Sequence, residues 1–270
     1  MSMSQNDVKR ALLGDHEAAK RLTDAGVLLT QGDCLELLKD IPDGSVDMVL
    51  TDPPYGIDYQ SQRKKDKSKW MPKIKNDKHP FVDFVPHIKR VLKPTGCVMV
   101  FTRWDVQQKF IDEMNDSGLK VKNVLIWDKE IHGMGDLKHS FASRYESIIF
   151  SSEKEFLFNG KRPQDIFKVR RVLPANLKHP NEKPVELLEQ LITKCVRHNG
   201  VVLDPFMGSG TTGVACVNTG RKFIGMELDS GYFEVAKQRI EEAQAQARLA
   251  WNTRAPILSA EEMEMLEGAE

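Results

Sequence analysis

The chain lacks most of the features that assign a protein to a class at sight. Of its 270 residues only four are cysteine (Cys34, Cys97, Cys195, Cys216). They are scattered without C-x-x-C spacing, which argues against a zinc ribbon and against a disulfide framework. Net charge is zero, with 39 Lys and Arg against 39 Asp and Glu, so the overall balance points to no partner. No apolar run is long enough to span a bilayer, and the start carries no apolar signal core. The expectation is a cytoplasmic protein of a reducing compartment, without membrane contact. No cluster of metal-ligating residues stands out, so no metal is expected.

What is present is unevenly distributed. Residues Gly56 to Pro80 hold eight Lys or Arg against three acids, and Ser151 to Lys178 hold seven against three. Glu261 to Glu270 carries five acids and no base. Between these stretches, short apolar runs alternate with helical periodicity. Val27–Thr30, Val46–Thr51, Cys97–Phe101, Val121–Trp127, Ser147–Phe150, Val201–Asp204 and Phe223–Glu227 read as strands. Helices are expected at Leu35–Leu38, Phe81–Leu92, Asp105–Asn115, from Pro184, at Thr211–Thr219 and at Tyr232–Ala247. Pro94-Thr95-Gly96 is expected to turn the chain into its strand. Strands alternating with helices imply an α/β fold, a doubly wound, mostly parallel Rossmann-like sheet with basic insertions. The expected organisation is a helical segment over 1–25 and a first half over 26–150 that contains the basic loop 56–80. A basic segment over 151–178, a second half over 179–248 and an acidic tail over 249–270 follow.

Two motifs sit where an α/β fold places chemistry, at the carboxyl ends of strands. The first is Asp52-Pro53-Pro54-Tyr55. Proline fixes its own φ and restricts the residue before it, so Asp52 and Tyr55 are held at a set separation beside the Pro53 carbonyl. Two acceptors and a planar ring suit an exocyclic amine on a nucleobase; a stiff turn after a strand is the plainer reading. The second is Asp204-Pro205-Phe206-Met207-Gly208-Ser209-Gly210-Thr211-Thr212-Gly213, which opens a helix, with Glu227 ending the next strand. Its glycines fit G-x-G-x-x-G, and Glu227 suits two ribose hydroxyls. A nicotinamide dinucleotide, S-adenosylmethionine and a purely structural glycine turn all fit the spacing. Asp204 favours S-adenosylmethionine, because a carboxylate opposes a pyrophosphate but suits a methionyl ammonium.

Together the two motifs resemble the DNA amino-methyltransferases that modify adenine at N6 or cytosine at N4. Their order here, D-P-P-Y before D-P-F-x-G-S-G-T-T, resembles the circularly permuted β group. Gly32-Asp33-Cys34, His179-Pro180-Asn181-Glu182-Lys183-Pro184, Trp127-Asp128-Lys129 and Arg144-Tyr145-Glu146-Ser147-Ile148 resemble further family blocks. The likeness covers about Val27 to Ala247. It implies a catalytic role for Asp52, Pro53, Pro54 and Tyr55, with Tyr55 stacking on the base. It implies S-adenosylmethionine as cofactor, held by Asp33, Cys34, Asp52, Lys183, Asp204, Pro205, Phe206, Gly208, Ser209, Gly210, Thr211, Thr212 and Glu227. The partner implied is double-stranded DNA, from which the target base must be flipped out. Arg63, Lys64, Lys65, Lys67 and Lys69 of the basic loop are candidate phosphate contacts. Lys161, Arg162, Lys168, Arg170 and Arg171 occupy the family's target-recognition position. A homodimer and a cognate restriction endonuclease stay open as further partners.

No cysteine follows a proline, so the nucleophile needed for methylation at cytosine C5 is missing. Asp rather than Ser at the head of the tetrapeptide favours adenine N6 over cytosine N4. A nicotinamide-dependent oxidoreductase and a catalytically inactive DNA-binding protein are the rivals from other classes.

Overall fold

A computed structural model describes residues 26–56, 79–132, 138–139, 141–172 and 182–254. The helices expected before residue 26, most of the basic loop with Arg63, Lys64, Lys65, Lys67 and Lys69, and the acidic tail lie outside the described residues.

One eight-stranded sheet organises the chain. Its strands are β1 (Val27–Gln31), β2 (Val46–Thr51), β3 (Leu92–Thr102), β4 (Val121–Asp128), β5 (Tyr145–Ser152), β6 (Ile166–Lys168), β7 (Val201–Asp204) and β8 (Lys222–Glu227). The helices are α1 (Cys34–Leu37), α2 (Val85–Val91), α3 (Gln107–Asp116), α4 (Val185–Cys195), α5 (Thr211–Thr219) and α6 (Ser230–Arg254). Strand order is β1-β8-β7-β2-β3-β5-β4-β6. Every pairing is parallel except those of β5, which runs against both β3 and β4. None of the described helices is long and apolar enough to cross a membrane.

The sheet is buried on both faces, which is why its inner strands read as continuous apolar runs. In β3, Cys97, Met99 and Phe101 enter one core while Val98 and Val100 enter the other. The first core is closed by Leu187, Leu188, Leu191 and Ile192 of α4, Ala215 and Cys216 of α5, and Ala236 and Ile240 of α6. Each large aliphatic side chain buried there contributes about 2 kcal/mol of apolar transfer. The second core gathers Leu38, Ile88, Val91, Phe110 and Met114.

Two local expectations shift. The helix expected over Phe81–Leu92 begins only at Val85, next to Pro86, where a missing N–H costs nothing in the first turn. Phe81 and Phe84 instead set their rings edge-on against Phe206, at 5.7 and 5.0 Å between centroids. The Pro94-Thr95-Gly96 turn is absorbed into β3, and the extra residues appear as a register break against β2 between Val46 and Met48.

From β2 the sheet grows toward β3, and from β7 it grows the other way, toward β8. β2 and β7 are neighbours, so a crevice must open between their carboxyl ends. Both motifs end there. β5, being antiparallel, begins at this same rim, with Ser147 opposite Thr102 and Tyr145 opposite Asp128.

Candidate active site

A single cleft spans the carboxyl ends of β1, β2, β7 and β8. Its lining includes Asp33, Cys34, Asp52, Pro53, Pro54, Tyr55, Lys183, Asp204, Pro205, Phe206, Gly208, Ser209, Thr211, Thr212 and Glu227. The two motifs, about 150 residues apart along the chain, therefore share one cavity. Thr51 Oγ1 donates to Asp204 Oδ1 at 2.8 Å and joins the two strand tips directly.

Asp204 is 3 % exposed. It accepts from Thr51 and from the Phe206 amide (3.1 Å) on one oxygen and from Thr212 Oγ1 (2.6 Å) on the other. Most of its acceptor capacity is thus used within the protein. Burial pushes its carboxyl up to about 6, against the three hydrogen bonds that favour the charged form. Because this pKa rises from 3.8 to about 6 on folding, the stability linked to the neutral form is full below the lower value and is lost as pH rises through the higher one. A shift of that size corresponds to about 3 kcal/mol. Asp204→Asn keeps the shape and two of the three acceptances, and Thr212 can turn to accept. The variant is expected to be more stable than the native protein at neutral pH by about 1–3 kcal/mol, the difference closing toward about pH 4. Urea unfolding at the two pH values checks this, and equal stabilities at neutral pH would contradict it.

The glycine loop divides its labour. Gly208 N donates to Glu227 Oε2 at 3.0 Å, and Asp229 N donates to Oε1 at 2.8 Å, so Glu227 is held at the tip of β8 with lone pairs left over. Burial raises its carboxyl. Gly210 does not line the cleft. It caps α5 at φ 79°, and a Cβ there would come within 2.8 Å of the Ala236 Cβ, so this glycine serves close packing on α6. Arg239 of α6, which the sequence did not single out, reaches the loop from behind. Its Nη1 donates to the Ser209 carbonyl and hydroxyl at 2.8 Å, and its Nη2 to Glu182 at 2.6 Å. At the tip of β1, Gly32 N donates to the Glu227 carbonyl at 2.9 Å, and Asp33 caps α1 through the Leu35 amide. Cys34 is a neutral thiol, pushed up to about 12 by burial and by Asp33.

Around D-P-P-Y the charges are paired. Asp52 Oδ2 lies 2.6 Å from Lys183 Nζ, and the Tyr55 hydroxyl donates to Oδ1. Lys183, only 8 % exposed, also meets Glu146 Oε2 at 3.1 Å, and Lys129 Nζ lies 2.5 Å from Oε1 of the same carboxylate. Burial alone would lower the Lys183 ammonium, but Asp52 and Glu146 outweigh it and lift it to about 12. Burial raises Asp52 against the pull of Lys183. Tyr55 is 6 % exposed, so the open stacking face expected from the sequence is mostly covered.

The basic loop starts and ends at this rim. Tyr55 and Pro80 form an isolated bridge, and Phe81 N donates to the Pro54 carbonyl at 3.0 Å. Gly56 is required where the two ends cross: at φ 81° its Cβ would fall 2.5 Å from the His79 carbonyl carbon. The second basic cluster separates. Lys168 ends β6 level with Asp128 at the catalytic rim, and Arg170 and Arg171 follow it. Lys161 and Arg162 precede β6, and Arg162 lines a different cavity with Phe158, Leu191 and Lys194. The five residues expected to act together thus lie at two ends of one short strand.

Comparison with known proteins agrees with this geometry. Residues 46–238 match the family described as DNA methylase, the N6/N4 group. The DNA adenine methyltransferase YhdJ of Escherichia coli strain K12 is 29 % identical over 253 residues, covering 80 % of this chain and 83 % of that protein. The type II methyltransferase M2.DpnII of Streptococcus pneumoniae is 29 % identical over 241 residues, covering 80 % and 90 %. The crystal structure of the M1.HpyAVI–SAM complex superposes with a TM-score of 0.61 at 26 % identity, covering 79 % of this chain and 99 % of that one. A sheet with its switch point between D-P-P-Y and a glycine loop, together with a match over most of its length, establishes that this chain belongs to the DNA methylase family.

Proposed function

We propose that the protein transfers a methyl group from S-adenosylmethionine to the N6 amine of an adenine flipped out of double-stranded DNA. The observation that carries this reading is the shared cleft: the acceptor pair of Asp52 and Pro53 opens into the same cavity as Glu227, Asp204 and the glycine loop. The residues present fit the cofactor. Glu227 keeps lone pairs for two ribose hydroxyls, and the buried Asp52 and Asp204 carboxylates suit the sulfonium and ammonium charges while opposing a pyrophosphate. When bound, S-adenosylmethionine supplies an electrophilic methyl.

Everything else falls to the chain. Asp52 and the Pro53 carbonyl accept the two N–H bonds of the amine, which draws nitrogen toward tetrahedral geometry and frees its lone pair. The carboxylate also stabilises positive charge developing on nitrogen, as a fixed group in a site of low dielectric. Alignment of amine and methyl by the two strand tips supplies much of the remaining acceleration. Stacking by Tyr55 requires its ring to turn outward from its covered position. Extrusion of the base costs a few kcal/mol, and cations at the rim offset it through the phosphates. Lys168, level with Asp128 at the end of β6 and followed by Arg170 and Arg171, supports this reading.

Adenine is supported by Asp at the head of the tetrapeptide and by a relative named as an adenine methyltransferase. The type II designation of M2.DpnII supports a cognate restriction endonuclease as a functional partner. Incubation with labelled S-adenosylmethionine and mixed-sequence DNA, followed by digestion to nucleosides, is expected to yield N6-methyladenine. Label in N4-methylcytosine would reassign the base, and no label in any nucleoside would refute the reading.

A further inference from the structure

Asp52 does not face a lone cation. Four charged groups alternate in sign from the cleft outward: Asp52, Lys183, Glu146 and Lys129, joined at 2.6, 3.1 and 2.5 Å. They come from four separate places in the chain, the tip of β2, the approach to α4, the start of β5 and the end of β4. The two lysines also lie over aromatic rings, Lys183 at 5.0 Å from Phe101 and Lys129 at 5.3 Å from Trp127. The other groups acting on this centre are the Tyr55 hydroxyl on Asp52, Arg103 near Tyr55, and Asp204 across the strand tips.

A two-membered pair of Asp52 and Lys183 would work poorly in amine methylation. Lys183 would cancel the charge that the amine needs to see. Protonating Asp52 would then leave an ammonium buried without a carboxylate, which is strongly unfavourable. Glu146 removes both difficulties. With Lys183 shared between two carboxylates, and Lys129 balancing Glu146 at the outer end, Lys183 neutralises Asp52 only in part on its cleft side. When Asp52 becomes neutral, Lys183 still has Glu146. We propose that Glu146 is a positioning residue: by holding Lys183 it leaves Asp52 able to accept the hydrogen bond of the target amine and then its proton.

This inference rests on the proposed methyl transfer. In that step the carbon–sulfur bond breaks with its electron pair kept by sulfur, and the nitrogen lone pair forms the carbon–nitrogen bond. The nitrogen carries positive charge and two hydrogens until one passes as a proton to Asp52, leaving the N-methyl amine and a neutral carboxyl that later loses its proton to water. The charge of Glu146 also acts to raise Asp52, so removing it lets Asp52 ionise at lower pH.

The test is the pH profile of the single-turnover methylation rate on DNA with saturating cofactor. Glu146→Gln is expected to move the acid limb down by about one pH unit and to lower the plateau by about tenfold, with cofactor affinity unchanged. Glu146→Asp restores a carboxylate at longer reach and is expected to fall between native and Gln in both respects. It decides the matter alone if the Gln variant does not fold. An unmoved acid limb in a folded variant overturns the proposal. Asp52→Ala separates the two levels: if it stays active, the methyl-transfer role of Asp52 fails as well. If it is inactive while Glu146→Gln keeps the native limb, only the role of Glu146 fails.

Discussion

Asp52→Ala is expected to slow single-turnover methyl transfer by about three orders of magnitude while cofactor affinity stays within a few-fold of native. The size follows from what the carboxylate does at the moment of reaction. It accepts an amine N–H and faces the charge growing on nitrogen, whereas the unreacted neutral amine gains much less from it. An interaction felt mainly in the transition state lowers the rate rather than binding when it is removed. The fold should tolerate the change, because Lys183 loses its bond to Asp52 but keeps Glu146 as partner, and the Tyr55 hydroxyl is the other donor that loses its acceptor. Cofactor affinity falls by no more than a few-fold, because only the charge near the sulfonium is lost while Glu227, Asp204 and the glycine loop are anchored through other contacts. Rapid-quench methylation and calorimetry with the cofactor make the comparison. An Ala variant within tenfold of native would take Asp52 out of the chemistry.

Lys183→Met is expected to have the largest effect on stability, a loss of about 3–5 kcal/mol at neutral pH, because it leaves two carboxylates facing each other without their shared cation. The pH dependence separates this from a simple packing defect. In the native protein the Lys183 pKa rises from 10.5 to about 12 on folding, so its contribution is full below the lower value and is lost as pH rises through the higher one. In the variant, burial and the charge of Glu146 raise the folded-state pKa of Asp52 further above its unfolded value, while Glu146 keeps Lys129 as partner. Proton uptake then favours the folded form, and the variant recovers stability as pH falls. The gap to native should narrow steadily from about pH 7 to about pH 5. Urea unfolding at several pH values tests this, and a gap constant with pH would show that the ion network is not its cause.

The local motifs were legible in the sequence because short-range covalent constraints define them. Two prolines after a strand fix the backbone around Asp52, and small residues between a strand and a helix leave room for a ligand. The alternation of apolar strands and helices was legible too, because a sheet covered on both faces needs continuous apolar runs. From these alone came the α/β class, the membership of Asp52 and Glu227 in a site, and the order of the two motifs.

Tertiary structure decided the rest. A strand's side-chain pattern does not record its direction, so nothing in Tyr145–Ser152 showed that β5 runs against its neighbours and brings Glu146 to the catalytic rim. For the same reason the five basic residues from Lys161 to Arg171 read as one cluster, although β6 separates them toward opposite ends. Lys183 and Asp52 are 131 residues apart, and Arg239 lies 30 residues from the loop it braces. Such partners become visible only when helices and strands from both halves pack on one sheet. The sequence by itself thus determined which groups could do the chemistry. Packing determined which of them touch, because a buried charge needs a partner in space and the chain's order does not say where that partner lies.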